Sequence, residues 1–217
     1  MNYLAHIYLS GNDDLVKIGN FIGDYIKGRR YLEYDDPRIR KGIILHRNID
    51  SFTDHNETAR KMKSFLVADY SKYAGIIVDI FYDHFLAINW DKYANISLED
   101  FINHFYHLLK THEEMLPAPV QKFLPKMIRH NRLLSYKHIE GIENALNVMV
   151  KRTSLPDKTQ KAKEILNYYY YEMESNFNSF FPQIIDYVNY RFGVLIYPPG
   201  SGKRYYLEGR DMNDPGI

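Results

Sequence analysis

The chain has 217 residues, 45% of them hydrophobic and 25% charged, with a formal net charge of +1 and no cysteine. That length suits one domain with a sizeable core. The apolar share excludes wholesale disorder, the near-zero charge excludes a global basic field for nucleic acid, and the missing cysteine excludes disulfides and leaves His, Asp, Glu and Asn as metal ligands.

Apolar spacing of three and four recurs along the chain and predicts an all-α, single-domain helical bundle. Helices are expected near 2–9, 13–27, 37–51, 56–67, 70–90, 97–113, 117–132, 136–152, 157–177 and 179–192. Gly11-Asn12 ends the first, Pro37 suits a first helical turn, and Asp54 followed by Glu57 resembles a capping box with Asp54 as the N-cap. Pro117 and Pro119 interrupt any run beyond 113, and Pro156-Asp157 opens the next segment. After Phe192 the character changes: "VLIY" and "RYYLEG" flank a Pro/Gly turn, so residues 193–217 read as a C-terminal extension, a hairpin or a loose tail, attached to a helical domain at 1–192. "PPGSGKR" is not a phosphate-binding P-loop, because Tyr197 stands where the first glycine belongs and Arg204 where Ser or Thr belongs. No apolar run reaches membrane-spanning length. The N-terminus lacks a basic region and a small-residue cleavage site, so a soluble, cytoplasmic chain with no membrane or nucleic-acid partner is expected.

Residues four apart share a helical face. The first ninety residues repeat that spacing with polar pairs set in apolar surroundings: Asn2 and His6, Asn20 and Asp24, His46 and Asp50 with Asp54 a turn further, and Asp79 and Asp83 with His84 adjacent. Carboxylates on a greasy helix are costly unless paired, hydrogen-bonded or bound to a cation. Four helices bringing such strips together is how His/carboxylate metal centres are built in bundles. The candidate ligands are His6, Asp24, His46, Asp50, Asp79, Asp83 and His84, more than one ion needs; His46, Asp50, Asp79 and His84 come first, with Asp24 and His6 close behind, and Asn2, Asn20 and Asp54 would orient them. Read without a cation, the same pairs are internal ion pairs of a non-enzymatic helical binding module. From Lys27 to Arg47 the chain carries seven cations, Lys27, Arg29, Arg30, Arg38, Arg40, Lys41 and Arg47, against Glu33, Asp35 and Asp36. This local excess borders the predicted site and would attract an anionic substrate or acidic partner.

"MNYLAHIYLS", "GNFIGDYIKG", "GIILHRNIDSFTD" and "VDIFYDHFL", in this order over residues 1–86, resemble the acyl carrier protein phosphodiesterase family. The resemblance implies an all-helical fold distantly related to HD-domain phosphohydrolases, although no His-Asp dipeptide occurs in this chain. It also implies metal-dependent removal of 4′-phosphopantetheine from holo-acyl carrier protein, with Mn²⁺ favoured and Mg²⁺ or Fe²⁺ as alternatives. The carrier protein would be the acidic partner of the cationic segment, Asp24 or Asp83 would orient the attacking water or take its proton, and Arg47 would steady the phosphate. The family's conserved positions fall on Asn2, His6, Asn20, Asp24, His46, Asp50, Asp54, Asp79, Asp83 and His84. An HD-type hydrolase acting on a nucleotide or another small phosphoester is the alternative within the same chemistry.

Overall fold

The structure, a computed structural model, describes residues 1–200. Its α-helices are α1 (Tyr3–Tyr8), α2 (Asp14–Phe21), α3 (Pro37–His55), α4 (Glu57–Ser64), α5 (Val67–Tyr70), α6 (Ala74–Ile88), α7 (Leu98–Thr111), α8 (Ala118–Arg129), α9 (Arg132–Ser135), α10 (Ile139–Arg152), α11 (Thr159–Tyr168) and α12 (Tyr170–Phe192). Short 3₁₀ turns join several of them, and the described residues contain no strand. The expected all-α bundle is therefore what the chain forms.

Local chemistry explains most boundaries. Pro37 opens α3 while the Asp36 side chain accepts the Arg38 amide hydrogen. The α3 helix runs past residue 51 to His55, and the cap of α4 is Asn56, whose side chain accepts from the Thr58 and Ala59 amides. Asp54 thus lies inside α3 and is not the predicted N-cap; the backbone becomes extended only at Asn56, so only there can a side chain reach the orphan amides. The segment expected at 70–90 divides at Ser71, whose φ of +50° breaks α5 from α6. The last break falls at Tyr169 and not near 178, and α12 continues through Pro182. Gly193, at φ +58°, closes α12 in the left-handed conformation that favours glycine. Val194–Tyr197 form no strand, and the other half of the expected hairpin, "RYYLEG", lies outside the described residues.

α1 sits against α2 and α6, and α12 packs across α3, α4 and α6. Phe177 and Phe180 of α12 meet Tyr82 and Phe85 of α6, with Tyr82 and Phe180 stacked 5.0 Å apart. Each fully buried aromatic of this kind contributes about 1.5–3 kcal/mol. α2 and α3 meet most closely at Gly19 and Gly42, where a Cβ on either would strike a carbonyl of the other helix, Ile39 or Val16. That close approach brings the Asn20 main chain against His46.

Candidate metal centre

α1 is six residues long and begins in the core, so its first amides need acceptors. Asn2 does not supply them; its side-chain amide donates to the Tyr136 hydroxyl at 2.7 Å. Asp83, arriving from α6, accepts from Leu4 N at 2.8 Å and Ala5 N at 3.1 Å. It is a cap supplied by another helix. Burial lifts its carboxyl to about 7 although the two amide hydrogen bonds oppose the rise. Both oxygens are engaged with main chain, so Asp83 is corrected from the expected catalytic group to the residue that fixes α1, and with it His6.

His6 and His46 stack with ring centroids 4.0 Å apart. Their protonation is readable from their partners. Asn20 donates its side-chain amide to His6 O at 2.8 Å and to Ser10 Oγ at 2.9 Å, so its Oδ1 is the atom facing His6. His6 Nδ1 lies 2.8 Å from that oxygen and must donate to it. His46 Nδ1 donates to the main-chain carbonyl of the same Asn20 at 2.8 Å. One asparagine therefore sets both tautomers and turns both Nε2 atoms inward. A Cβ at Gly23 would fall onto the His46 ring, so the 3₁₀ turn Gly23–Tyr25 is also shaped to admit it.

The two inward nitrogens meet oxygens. His6 Nε2 is 3.2 Å from Asp50 Oδ1 and 3.1 Å from Met1 O. His46 Nε2 is 3.3 Å from Asp50 Oδ2 and 3.3 Å from Asp24 Oδ1. His46 Nε2 is also buried without a hydrogen bond. Ligand atoms of His6, His46 and Asp50 all lie within 4.8 Å of one another. Lone pairs converging on acceptors repel unless positive charge sits among them. The electrostatics agree: burial works against a charge on His46, but Asp24 and Asp50 outweigh it and raise the imidazole to about 9. Burial and the neighbouring His46 lower His6 to about 4. Burial alone would raise Asp50, yet the His46 and His6 imidazoles and the Met1 ammonium beside it hold it far below the ordinary carboxylate range. The adjacent His46 imidazole lowers Asp24 as well. Two nitrogens and one to two carboxylates form a donor set suited to a first-row divalent cation, and His6, His46 and Asp50, flanked by Asp24, could hold one.

The remaining expected residues fall elsewhere. Asp79 borders the cluster: its Oδ1 is 2.9 Å from the buried α-ammonium of Met1, which also lies 3.5 Å from Asp50 Oδ1. Burial raises Asp79 against that favourable charge. His84 is not brought to the cluster. It stands five residues after Asp79, about 140° further round the helix, with Nδ1 2.7 Å from Tyr136 O and Nε2 2.9 Å from the Tyr170 hydroxyl. Arg47 points away, donating to Ile26 O at 2.8 Å and lying over the Tyr31 ring. Asp54 pairs with Lys63 on the surface. In the cationic segment Arg30 pairs with Glu33, Arg38 with Asp36, and Arg40 donates to Asp35 O. Lys27 and Arg29 are exposed and Lys41 is half-buried, and none of the three has an ion pair among the described residues. Sequence reasoning missed Ser10 and Tyr136, which buttress Asn20 and Asn2; Tyr136 comes from a distant helix junction that no local spacing reveals.

Fold and site together define an all-helical protein that gathers a His/carboxylate cluster from α1, α3 and the turn after α2, with Asp79 of α6 at its border. The family model described as acyl carrier protein phosphodiesterase matches residues 1–184, and the chain belongs to that family. An acyl carrier protein phosphodiesterase of Yersinia enterocolitica is 36% identical over 85 residues, 39% of this chain and 44% of that relative's length. One of Salmonella paratyphi A is 28% identical over 192 residues, covering 85% of this chain and 96% of the relative. No solved structure matches. No described helix is long and apolar enough to cross a membrane.

Proposed function

We propose that this chain is a divalent-cation-dependent phosphodiesterase that cleaves 4′-phosphopantetheine from holo-acyl carrier protein, leaving the apo-protein with its serine hydroxyl. The observation that carries the reading is the convergence of His6 Nε2, His46 Nε2 and both oxygens of Asp50. The names of the family and of its relatives supply the substrate. A bound divalent cation supplies Lewis acidity at the phosphoryl group and acidifies a water. Mn²⁺ is the proposed ion.

The chain's own residues do the positioning. Asn20 holds both imidazoles as Nε2 donors of electron pairs. Asp83 fixes the start of α1 and so the height of His6. Asp24, with its side chain 68% exposed, is the carboxylate of the cluster open to an approaching substrate. It is ionised at neutral pH and orients the attacking water by accepting its hydrogen bond. Lys27 and Arg29, exposed beside Asp24 in sequence, meet the acidic carrier protein. The reaction is placed in the cytoplasm, in keeping with a chain free of cysteine.

Calorimetric titration of Mn²⁺ into the protein and into Asp50→Ala tests the centre. We expect at least a hundredfold weaker binding in the variant, about 2.7 kcal/mol, with hydrolysis of holo-carrier protein lost in parallel. Equal affinity would remove Asp50 from the site.

A further inference from the structure

A cavity of about 530 Å³ opens beside the cluster, bounded by α8, α9 and α10, and shares Asp24 with it. The volume is that of a small-molecule site, within the usual range of roughly 300–1,000 Å³; a folded protein cannot enter it. Asp24 is its one acidic lining residue, at the cluster end. Lys126, Arg132, Lys151 and Arg152 also line it, and none of these cations takes part in an ion pair among the described residues. An excess of unpaired positive charge around a concave site selects an anion.

The face that α10 turns to this cavity is unusual. Residues 144, 147, 148 and 151 follow the spacing that normally makes an apolar stripe, yet they are Asn144, Asn147, Val148 and Lys151, and all four line the cavity. Neither asparagine side chain makes a hydrogen bond to the described residues. Facing them across the cavity are Phe123 and Met127 of α8. The Arg152 guanidinium lies over the Phe123 ring, 5.9 Å from its centroid. The site thus offers two side-chain amides, an apolar wall and surplus cations, all leading to Asp24.

We infer that this cavity holds the 4′-phosphopantetheine arm, with its phosphate at the Asn2–Asp24 end and its chain along α10. The arm is an anion at one end and otherwise a slender chain carrying two amides and a gem-dimethyl group. Asn144 and Asn147 match the amides, and Phe123, Met127 and Val148 match the apolar parts. The inference rests on the proposed activity for the identity of the arm, and it assigns a pocket for the half of the substrate that keeps the phosphorus, which would hold the 4′-phosphopantetheine product once the serine oxygen has left.

Binding of free 4′-phosphopantetheine to the full chain, followed by calorimetry, tests this apart from turnover. The protein should bind it, and should bind pantetheine, which lacks the phosphate, at least tenfold more weakly. Asn144→Trp, at an exposed position of α10, fills the cavity without entering the core and should weaken binding about tenfold or more. The double variant Asn147→Leu with Lys151→Glu should do the same by removing an amide and a charge. In each case far-UV circular dichroism verifies that the helices are intact. If the protein does not bind free 4′-phosphopantetheine, or if both folded variants bind it as well as the parent, the pocket assignment is wrong even when holo-carrier protein is hydrolysed. If the arm binds as described but holo-carrier protein is never cleaved in the presence of Mn²⁺, the pocket stands and the proposed activity fails.

Discussion

Asp83 is a fully buried carboxylate that accepts from two amides at the start of another helix. Replacing it with alanine leaves Leu4 N and Ala5 N buried and unpaired, which should cost roughly 2–4 kcal/mol in urea unfolding. Its pH behaviour has a definite sign. The folded carboxyl titrates at about 7, above its value of 3.8 in an unfolded chain. Between these values the folded state holds a proton that the unfolded state has lost, so stability falls as pH rises from about 4 to 7. Asp83→Asn should remove that contribution, of up to about 1.4 kcal/mol per pH unit, and its unfolding free energy should decline less steeply over this window than that of the parent. Parallel curves for the two proteins would contradict the role. The spacing of Asp79, Asp83 and His84 announced polar groups in the interior, and that much was legible. Their separate duties were not: an i,i+4 pattern cannot tell a carboxylate that caps α1 from one that faces a cation, because the difference lies in what other helices bring to it.

At the scale of elements, the site depends on how α2, its following turn and α3 fit together. Gly19 and Gly42 let the two helices touch, and Gly23 leaves room for the His46 ring. Gly23→Ala places a methyl group on that ring and should push His46 out of line with Asp24 and Asp50. The expected outcome is at least a tenfold loss of Mn²⁺ affinity with far-UV circular dichroism unchanged, measured by calorimetry. Undisturbed affinity would show that the His46 position is not set there. Helix existence was readable from periodicity in nearly every case, and Pro37 and Gly193 mark ends in the way their backbone chemistry requires. The misplaced boundaries have local causes. Ser71 adopts a positive φ that its residue type does not advertise, and Pro182 is carried within α12 because the buried Phe177–Ile185 face holds the helix together across it. His84 was assigned to the site by adjacency in sequence, and the helical rotation between it and Asp79 sends it to Tyr136 and Tyr170 instead.

Across the whole molecule, the cluster lies where α1, α3, α6 and the turn after α2 meet, and the cationic segment and the α8–α10 cavity flank it. Four of the seven cations of the segment, Arg30, Arg38, Arg40 and Arg47, are held by local partners, and Lys27 and Arg29 are the exposed pair nearest Asp24 in sequence. Lys27→Glu combined with Arg29→Glu should raise KM for holo-carrier protein several-fold and flatten its dependence on salt, with kcat little changed. A fall in kcat alone would place these residues outside docking. The four sequence motifs reach the cluster because His6, Asp24, His46 and Asp50 all come from the first ninety residues. The cavity was not legible, since Phe123, Arg132 and Asn147 share no spacing with those motifs and meet them only through the fold. The central claim, that the cluster drives phosphodiester cleavage on a carrier protein, is tested most directly by mass spectrometry of holo-acyl carrier protein incubated with the protein, with and without Mn²⁺. Conversion to the apo mass with Mn²⁺, abolished by chelator and by His46→Ala, is the predicted result; an unchanged holo mass with Mn²⁺, or conversion that persists in chelator or in the variant, would contradict it.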